Sequence, residues 1–217
     1  MSIINISDVT VLNNPAPFTD PYMFKITFEC MAPLQDDLEW KLTYVGSAEN
    51  DSYDQELDTC MVGPVPVGVN SFEFEAAAPS PTRIPASDLI GVTVILLTCA
   101  YNDQEFVRIG YYVNTEYGDA ALKAQHDAAQ EEGAQERGVT APDPTQHIDQ
   151  LVRSVLADKP RVTKFNITWD TPLQGAIPTS SSIPATSFSA QPAGEASAAA
   201  PPPPFNPYQA AQDGTVA

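Results

Sequence analysis

The 217-residue sequence has few basic residues, and this shortage excludes one large class of partner. Only 10 Lys and Arg stand against 28 Asp and Glu, which gives a formal net charge of −18. Direct binding of nucleic acid is disfavoured at this charge, because contacts with phosphates need clustered Lys and Arg. The field of so acidic a chain instead attracts a basic protein partner.

Histidine and cysteine are also scarce, which argues against an enzyme or a metalloprotein. His126 and His147 lie in or beside a stretch of low complexity, and the 3 cysteines lack the paired spacing of zinc sites. The sequence has no nucleophile elbow and no glycine-rich loop before a helix. We therefore predict a protein without enzymatic activity, metal or cofactor.

Long hydrophobic runs are missing as well. Residues 92–99 form a prominent apolar run, far shorter than the roughly 20 residues that a membrane helix needs. The first residues, 1–5, lack a basic region followed by an apolar stretch, so we expect no signal peptide. Unevenly spaced cysteines are typical of a reducing compartment. These features predict a soluble intracellular protein without a membrane partner.

Residues 1 to about 118 have the pattern of an all-β domain. Residues 24–30 and 71–76 alternate apolar and polar side chains, as half-buried strands do. Runs of β-branched and aromatic residues occur in three further segments, residues 38–45, 92–101 and 105–113. Clusters of Pro, Gly, Asn and Asp separate these segments, and short strands at this spacing predict an immunoglobulin-like β-sandwich.

An insertion and a last ordered segment follow the predicted sandwich. Residues 119–148 are rich in Ala, Gln and Glu, and we predict a short helix within this low-complexity insertion. In residues 148–157 the apolar side chains recur at helical spacing. Residues 161–169 alternate as a final strand, and Pro160 before them is typical of an edge position.

A tail rich in Pro, Ala and Ser ends the sequence. Residues 171–217 contain four consecutive prolines, only two acids and no bases. They have too few large apolar residues to build a core, so we predict a disordered tail. The predicted domain is then residues 1–170.

The apolar run at residues 92–99 is apolar on both of its faces. An antiparallel strand normally buries one face and exposes the other, so the second face needs a cover. Either another element of the fold or a partner protein provides it. The sequence leaves these two alternatives open.

Which side chains lie on that second face depends on the turn near residues 102–104. A loop of three residues places Val94 opposite Tyr112, on the same face as Arg108. A loop of two residues reverses the faces and brings Ile95 and Leu97 beside Arg108. The three-residue register creates an exposed apolar patch of Val92, Val94, Leu96 and Tyr112 beside Arg108, with Asp54 and Asp88 as an acidic rim.

Several segments resemble the anti-silencing function family of histone chaperones. The resemblance covers residues 1–117 and resumes at about 148–170. It is carried by residues 13–18 (NNPAPF), 24–30 (FKITFEC), 37–41 (DLEWK), 44–49 (YVGSAE), 62–66 (VGPVP), 110–114 (GYYVN) and 160–163 (PRVT). The fold of that family is the immunoglobulin-like sandwich that the strand pattern predicts.

The resemblance implies a nuclear, monomeric chaperone that binds one dimer of histones H3 and H4 and covers the surface through which two H3 copies pair. It also implies the three-residue register. The implied H3-binding residues are Val45, Glu49, Asp54, Asp88, Val92, Val94, Leu96, Arg108 and Tyr112. The C-terminal tail of H4 is expected to add as a strand beside Arg161, Val162 and Thr163. An aromatic residue of that tail is expected to contact Tyr111, Leu156, Pro160 and Val162.

The resemblance further implies a second site for deposition factors of the chromatin assembly factor and histone regulator A types. The implied residues are Phe28, Asp36, Asp37, Leu38, Val62 and Phe72. Asp36 stands where the family more often has Glu, and the insertion at 119–148 is longer than expected. An alternative function is an immunoglobulin-like adaptor that binds peptides by β-strand addition and has no histone role.

Overall fold

The alternating segments form ten strands in a computed structural model that describes residues 2–132, 134 and 136–170. The predicted tail, residues 171–217, lies outside the described residues. The strands are β1 (Ile4–Val11), β2 (Ala16–Pro17), β3 (Tyr22–Cys30), β4 (Leu38–Tyr44), β5 (Gln55–Val62), β6 (Gly68–Ala76), β7 (Gly91–Tyr101), β8 (Gln104–Tyr117), β9 (Leu151–Val155) and β10 (Arg161–Lys164).

Two antiparallel sheets face each other, which confirms the predicted sandwich. One sheet has the order β1-β3-β6, and the other has the order β2-β9-β8-β7-β4-β5 with β10 also paired to β8. In β3 every second side chain points into the space between the sheets, whereas Lys25 and Glu29 point to solvent. The core residues that β3 contributes are Tyr22, Phe24, Ile26, Phe28 and Cys30.

The hairpin of β7 and β8 reaches the expected register by an unexpected route. The predicted three-residue loop is wrong, because only Asn102 and Asp103 form the turn, at φ angles of 50° and 58°. A bulge at Phe106 then inserts one extra residue into β8, since Ala100 pairs with Glu105 and Cys99 pairs with Val107. The extra residue has the same effect on the pairing as a three-residue loop, so Val94 lies opposite Tyr112.

The predicted helical spacing in residues 148–157 is also wrong. A 3₁₀ turn covers Ile148–Gln150, and the strand β9 follows it. Leu151, Arg153 and Val155 alternate into the interior, with Arg153 0 % exposed. The strand is hard to predict from the sequence because one of its inward residues, Arg153, is charged. The apolar residues therefore fit helical spacing better than strand alternation.

The last predicted strand is shorter than expected. β10 ends at Lys164, although the backbone N–H of Phe165 still donates to the carbonyl of Phe106 at 2.8 Å. Beyond it, Ile167 and Trp169 pack against the core. The alternation seen in residues 161–169 therefore reflects burial, while the pairing of strands covers only its first part.

The insertion contains the short helix that its composition predicts. The helix α1 (Ala120–Gln130) begins after Asp119, whose carboxylate accepts from the backbone N–H groups of Ala121 and Leu122, each at 2.9 Å. Among the described residues, no helix is long and apolar enough to span a membrane.

Candidate protein-binding surfaces

A second, small apolar cluster lies on the outer face of the β7–β8 hairpin, away from the main core. It consists of Val45, Val94 and Leu96, with Tyr112 packed against them. Val94 lies directly opposite Tyr112, as predicted, and the backbone N–H of Val45 donates to the carbonyl of Val94 at 2.9 Å. The bulge in β8 is what brings these side chains to one face.

The cluster is less exposed than the predicted patch. Val94 and Leu96 expose only 7 % and 8 %, so the expectation that they stand open to solvent is wrong. Val92 exposes 65 %, and Tyr112 is half-buried. Gly110 lies opposite Leu96 and adds no side chain above it. The surface is thus an apolar floor with one projecting valine at its end.

Arg108 shares this face but already has an internal partner. Its Nε and Nη2 atoms donate to the two carboxylate oxygens of Glu105 at 2.7 Å and 2.9 Å. In a regular strand residues three apart point to opposite faces, so the bulge at Phe106 is what brings this pair together. Glu105 was not among the predicted site residues, and no local pattern in the sequence marks it.

Three carboxylates lie in the loops next to the strands that form the apolar floor. Asp88 closes a 3₁₀ turn just before β7 and accepts from the hydroxyl of Ser87 at 3.0 Å. Burial raises the pKa of Tyr44, and the charge of Asp88 adds to this rise. Asp54 is half-buried, and Glu49 is exposed in the loop after β4. We call Glu49, Asp54 and Asp88 the acidic border, since they lie in the loops that adjoin the strands of the floor.

The predicted H4-binding residues gather where β9 gives way to β10. Pairing places Arg161 opposite Gly110 and Thr163 opposite Arg108, along the half of β8 that is nearer to the hairpin turn. Val162 exposes 51 % and Leu156 exposes 43 %, while Tyr111 beneath them is buried. Pro160 is exposed at the start of β10. Two exposed apolar side chains, Leu156 and Val162, therefore lie at this margin of the sheet.

The residues predicted to bind deposition factors, apart from buried Leu38, line two depressions that we together call the third surface. Phe28, Val62 and Phe72 line one depression, and Asp36 and Asp37 line the other. A pocket of about 100 Å³ is lined by Phe28, Val62, Pro64, Val65, Pro66, Asn70, Ser71 and Phe72. Phe28 is buried, so it forms the floor of this pocket, and Leu38 is fully buried opposite Val62. Pro64 and Pro66 in the lining belong to the resembling segment 62–66, but they were not among the predicted site residues.

An acidic depression adjoins the segment that leads into β4. Its volume is about 370 Å³, and its lining comprises Gln35, Asp36, Asp37, Glu39, Met61, Asn102 and Asp103. Asp37 packs so closely against Gly63 that a Cβ there would overlap its carboxylate. Exposed Met61 supplies an apolar side chain among the acids. This combination suits a partner with basic and apolar groups.

The described residues offer little for chemistry. No group of three or more His, Cys, Asp or Glu side chains among them could hold a metal ion. All three cysteines are free, and burial raises the pKa of the Cys30, Cys60 and Cys99 thiols. A raised thiol pKa lowers the thiolate fraction and hence the reactivity.

Comparison with known proteins identifies the family of the chain. The model of a family described as ASF1 like histone chaperone matches residues 1–170. The chain is 59 % identical over 172 residues to the histone chaperone ASF1 of Mycosarcoma maydis, which covers 78 % of this chain and 88 % of that protein. It is 57 % identical over 170 residues to the histone chaperone ASF1 of Candida albicans, which covers 78 % of this chain and 62 % of that protein.

A third relative is the histone chaperone ASF1 of Kluyveromyces lactis. Identity there is 56 % over 170 residues, which covers 78 % of this chain and 56 % of that protein. The chain thus spans less than two thirds of the length of the Candida and Kluyveromyces relatives.

Proposed function

The chain belongs to the ASF1-like histone chaperone family, and on that basis we propose that it binds a dimer of histones H3 and H4 in the nucleus. It covers the surface through which two H3 copies pair and passes the dimer to deposition factors. The protein works as a monomer and without a catalytic step.

The apolar floor with its acidic border is the observation that carries this proposal. An apolar centre of Val94, Leu96 and Tyr112 receives the apolar side chains of an H3 helix. Asp54, Asp88 and Glu49 pair with basic side chains around it. Arg108 answers an acidic group of the helix while its present partner, Glu105, keeps its guanidinium in place. The net charge of −18 steers the basic histones toward the chain.

The margin of the sheet at β10 supports a role for the H4 tail. A strand added beside Arg161, Val162 and Thr163 extends the sheet through backbone hydrogen bonds. The exposed side chains of Leu156 and Val162 then contact an apolar or aromatic side chain of that tail. The H3 and H4 surfaces lie on neighbouring strands, so a single dimer spans both.

The third surface supports binding of deposition factors. The pocket beside Phe72 and Val62 takes an apolar side chain, and Asp36 and Asp37 attract a basic one. This surface lies beyond the turn end of the β7–β8 hairpin, away from the apolar floor. A deposition factor can therefore dock before the histones leave, and transfer follows from competition for the histones themselves.

The test is light-scattering chromatography of the chain mixed with H3–H4, beside a Val94→Arg variant. The wild type should elute with one H3–H4 dimer. Val94→Arg places an unpaired charge on the floor and should weaken binding by at least about 30-fold, or roughly 2 kcal/mol. Val69→Arg is the matched control, because Val69 is 73 % exposed on the other sheet.

Each result has a distinct meaning once circular dichroism shows that both variants are folded. Histone binding by folded Val94→Arg at wild-type strength would remove the apolar floor from the proposal. An H3–H4 tetramer that elutes apart from the wild type would contradict the chaperone role and favour the peptide-binding adaptor.

A further inference from the structure

The hydroxyl of Tyr101 joins three distant parts of the chain. It accepts from the backbone N–H groups of Gln35 at 3.2 Å and Asp36 at 3.3 Å, and it donates to the carboxylate of Asp170. A tyrosine hydroxyl has one donor and two acceptor sites, so all of its capacity is in use. Tyr101 is fully buried, and each of these bonds is costly to lose.

Residues 165–170 are fixed to the end of the β7–β8 hairpin by several further contacts. The ring of Trp169 stacks on Tyr101 with centroids 5.3 Å apart and packs against Phe106 at 5.1 Å. The amide of Asn102 donates to Asp170 at 3.4 Å. The backbone N–H of Thr168 donates to the Gln104 side chain at 3.3 Å. The segment therefore holds the Tyr101 hydroxyl from the side opposite to Gln35.

We propose that Trp169 and Asp170 are positioning residues for the docking surface formed by the acidic depression, which contains Asp36 and Asp37. They fix the Tyr101 hydroxyl, and that hydroxyl fixes the backbone from which Asp36 and Asp37 project. The inference deepens the proposed function, because it rests on the role of this surface in binding deposition factors. Neither Trp169 nor Asp170 lines the surface itself.

The Tyr101 hydroxyl holds the loop directly, because it accepts from the backbone N–H groups of both Gln35 and Asp36. Asp36 and Asp37 are exposed, and the next residue, Leu38, is buried opposite Tyr101 in the β4–β7 pairing. The backbone is thus anchored at Leu38 and, two residues earlier, at the hydroxyl of Tyr101. Without the carboxylate of Asp170 the buried hydroxyl must find another acceptor, and its lone pairs turn away from the loop.

The experiment uses the full chain with Asp170→Ala, Tyr101→Phe and the double variant. Asp149→Ala is the matched control, because it removes an exposed carboxylate beside β9, near the opposite end of β8. Backbone amide exchange by NMR reports on Gln35 and Asp36. A hairpin peptide from a chromatin assembly factor serves as the docking probe, and H3–H4 binding is measured in parallel.

We expect faster amide exchange at Gln35 and Asp36 in both single variants. Peptide binding should weaken about tenfold in Asp170→Ala, which loses one charge-assisted hydrogen bond, and at least as much in Tyr101→Phe, which loses all three bonds of the hydroxyl. H3–H4 binding should not change. Because both substitutions break one pathway, the double variant should lose little more than Tyr101→Phe alone.

Two contrary results are distinguishable. Peptide binding and amide exchange in Asp170→Ala that match those of Asp149→Ala would overturn the positioning role and leave the proposed function intact. A wild-type chain that binds H3–H4 but not the peptide would overturn the docking surface itself, and the positioning role with it.

Discussion

At the scale of single residues, Arg153 combines full burial with a permanent charge. Its guanidinium lies 3.7 Å from the centre of the Tyr22 ring, and its Nη2 atom donates to the carbonyls of Asp20 at 2.9 Å and Pro21 at 2.7 Å. Burial lowers the pKa of Arg153, yet an arginine keeps its proton. The side chain thereby ties β9 to the start of β3 on the facing sheet.

We predict that Arg153→Ala lowers the free energy of unfolding by about 3 kcal/mol, through the lost stacking and the cavity it leaves. Arg153→Lys should recover less than half of this loss, since an ammonium lacks the planar group that lies over the Tyr22 ring while its Nη2 donates to both carbonyls. Urea unfolding measures both changes. Lys159→Ala, an exposed control, should stay within about 0.5 kcal/mol of wild type. An equally small effect of Arg153→Ala would show that Arg153 does not stabilise the contact between β9 and β3.

Arg153 also explains why residues 148–157 were predicted to have helical spacing instead of the strand β9. Inward positions of a strand are expected to be apolar, and Arg153 breaks that alternation between Leu151 and Val155. The buried guanidinium of Arg153 is stabilised by carbonyls more than 130 positions away in the sequence, and no local pattern contains them. Glu105 was missed for a related reason, because a bulge decides that it faces Arg108.

At the scale of elements, the β7–β8 hairpin decides which side chains form the apolar floor. The sequence predicted both strands and, through the family resemblance, the pairing of Val94 with Tyr112. It did not predict that a two-residue turn and a bulge together give that pairing. A bulge leaves the composition of a strand unchanged, so the two routes look alike in sequence. The clean alternation of β3, in contrast, was sufficient to predict its buried face.

The turn itself provides a prediction with a matched pair of variants. Asp103 has a φ of 58°, where glycine is unstrained and a β-branched residue is not. Asp103→Gly should leave stability unchanged or raise it by up to about 1 kcal/mol, because Asn-Gly favours this turn. Asp103→Val should lower it by about 1–2 kcal/mol.

Thermal and urea unfolding of the two variants measure the difference between them. Because Asp103 is exposed, lost packing does not contribute to the comparison. Equal stability of the glycine and valine variants would show that the turn relaxes out of its left-handed conformation.

At the scale of the whole molecule, three candidate surfaces share one sandwich and one set of buried tyrosines. Family resemblance supplied residues for all three predicted surfaces, whereas physical patterns alone pointed to the apolar floor and to the edge strand after Pro160. The reason is that the H4 margin and the acidic depression are built by pairing between segments far apart in sequence. Buried tyrosines from both sheets fill the space between these surfaces, and their ionisation affects the entire fold.

Alkaline pH should therefore unfold the protein. Burial raises the pKa of Tyr22 and of Tyr111 from 10.0 to about 12, and it raises the pKa of Tyr44 as well. A raised pKa means that the folded state holds its protons more tightly than the unfolded state. The resulting stability is complete below about pH 10 and is lost as the pH rises toward about 12.

Such a rise in pKa corresponds to a few kcal/mol for each tyrosine, about 1.4 kcal/mol per pKa unit, so two such groups match a large part of a domain's total stability. Urea unfolding between about pH 8 and 11 should show a plateau and then a steep fall, with tyrosinate absorbance appearing together with unfolding. Tyr22→Phe removes one of these groups and should make the fall shallower. A slope that Tyr22→Phe leaves unchanged would mean that buried tyrosines do not govern the alkaline limit.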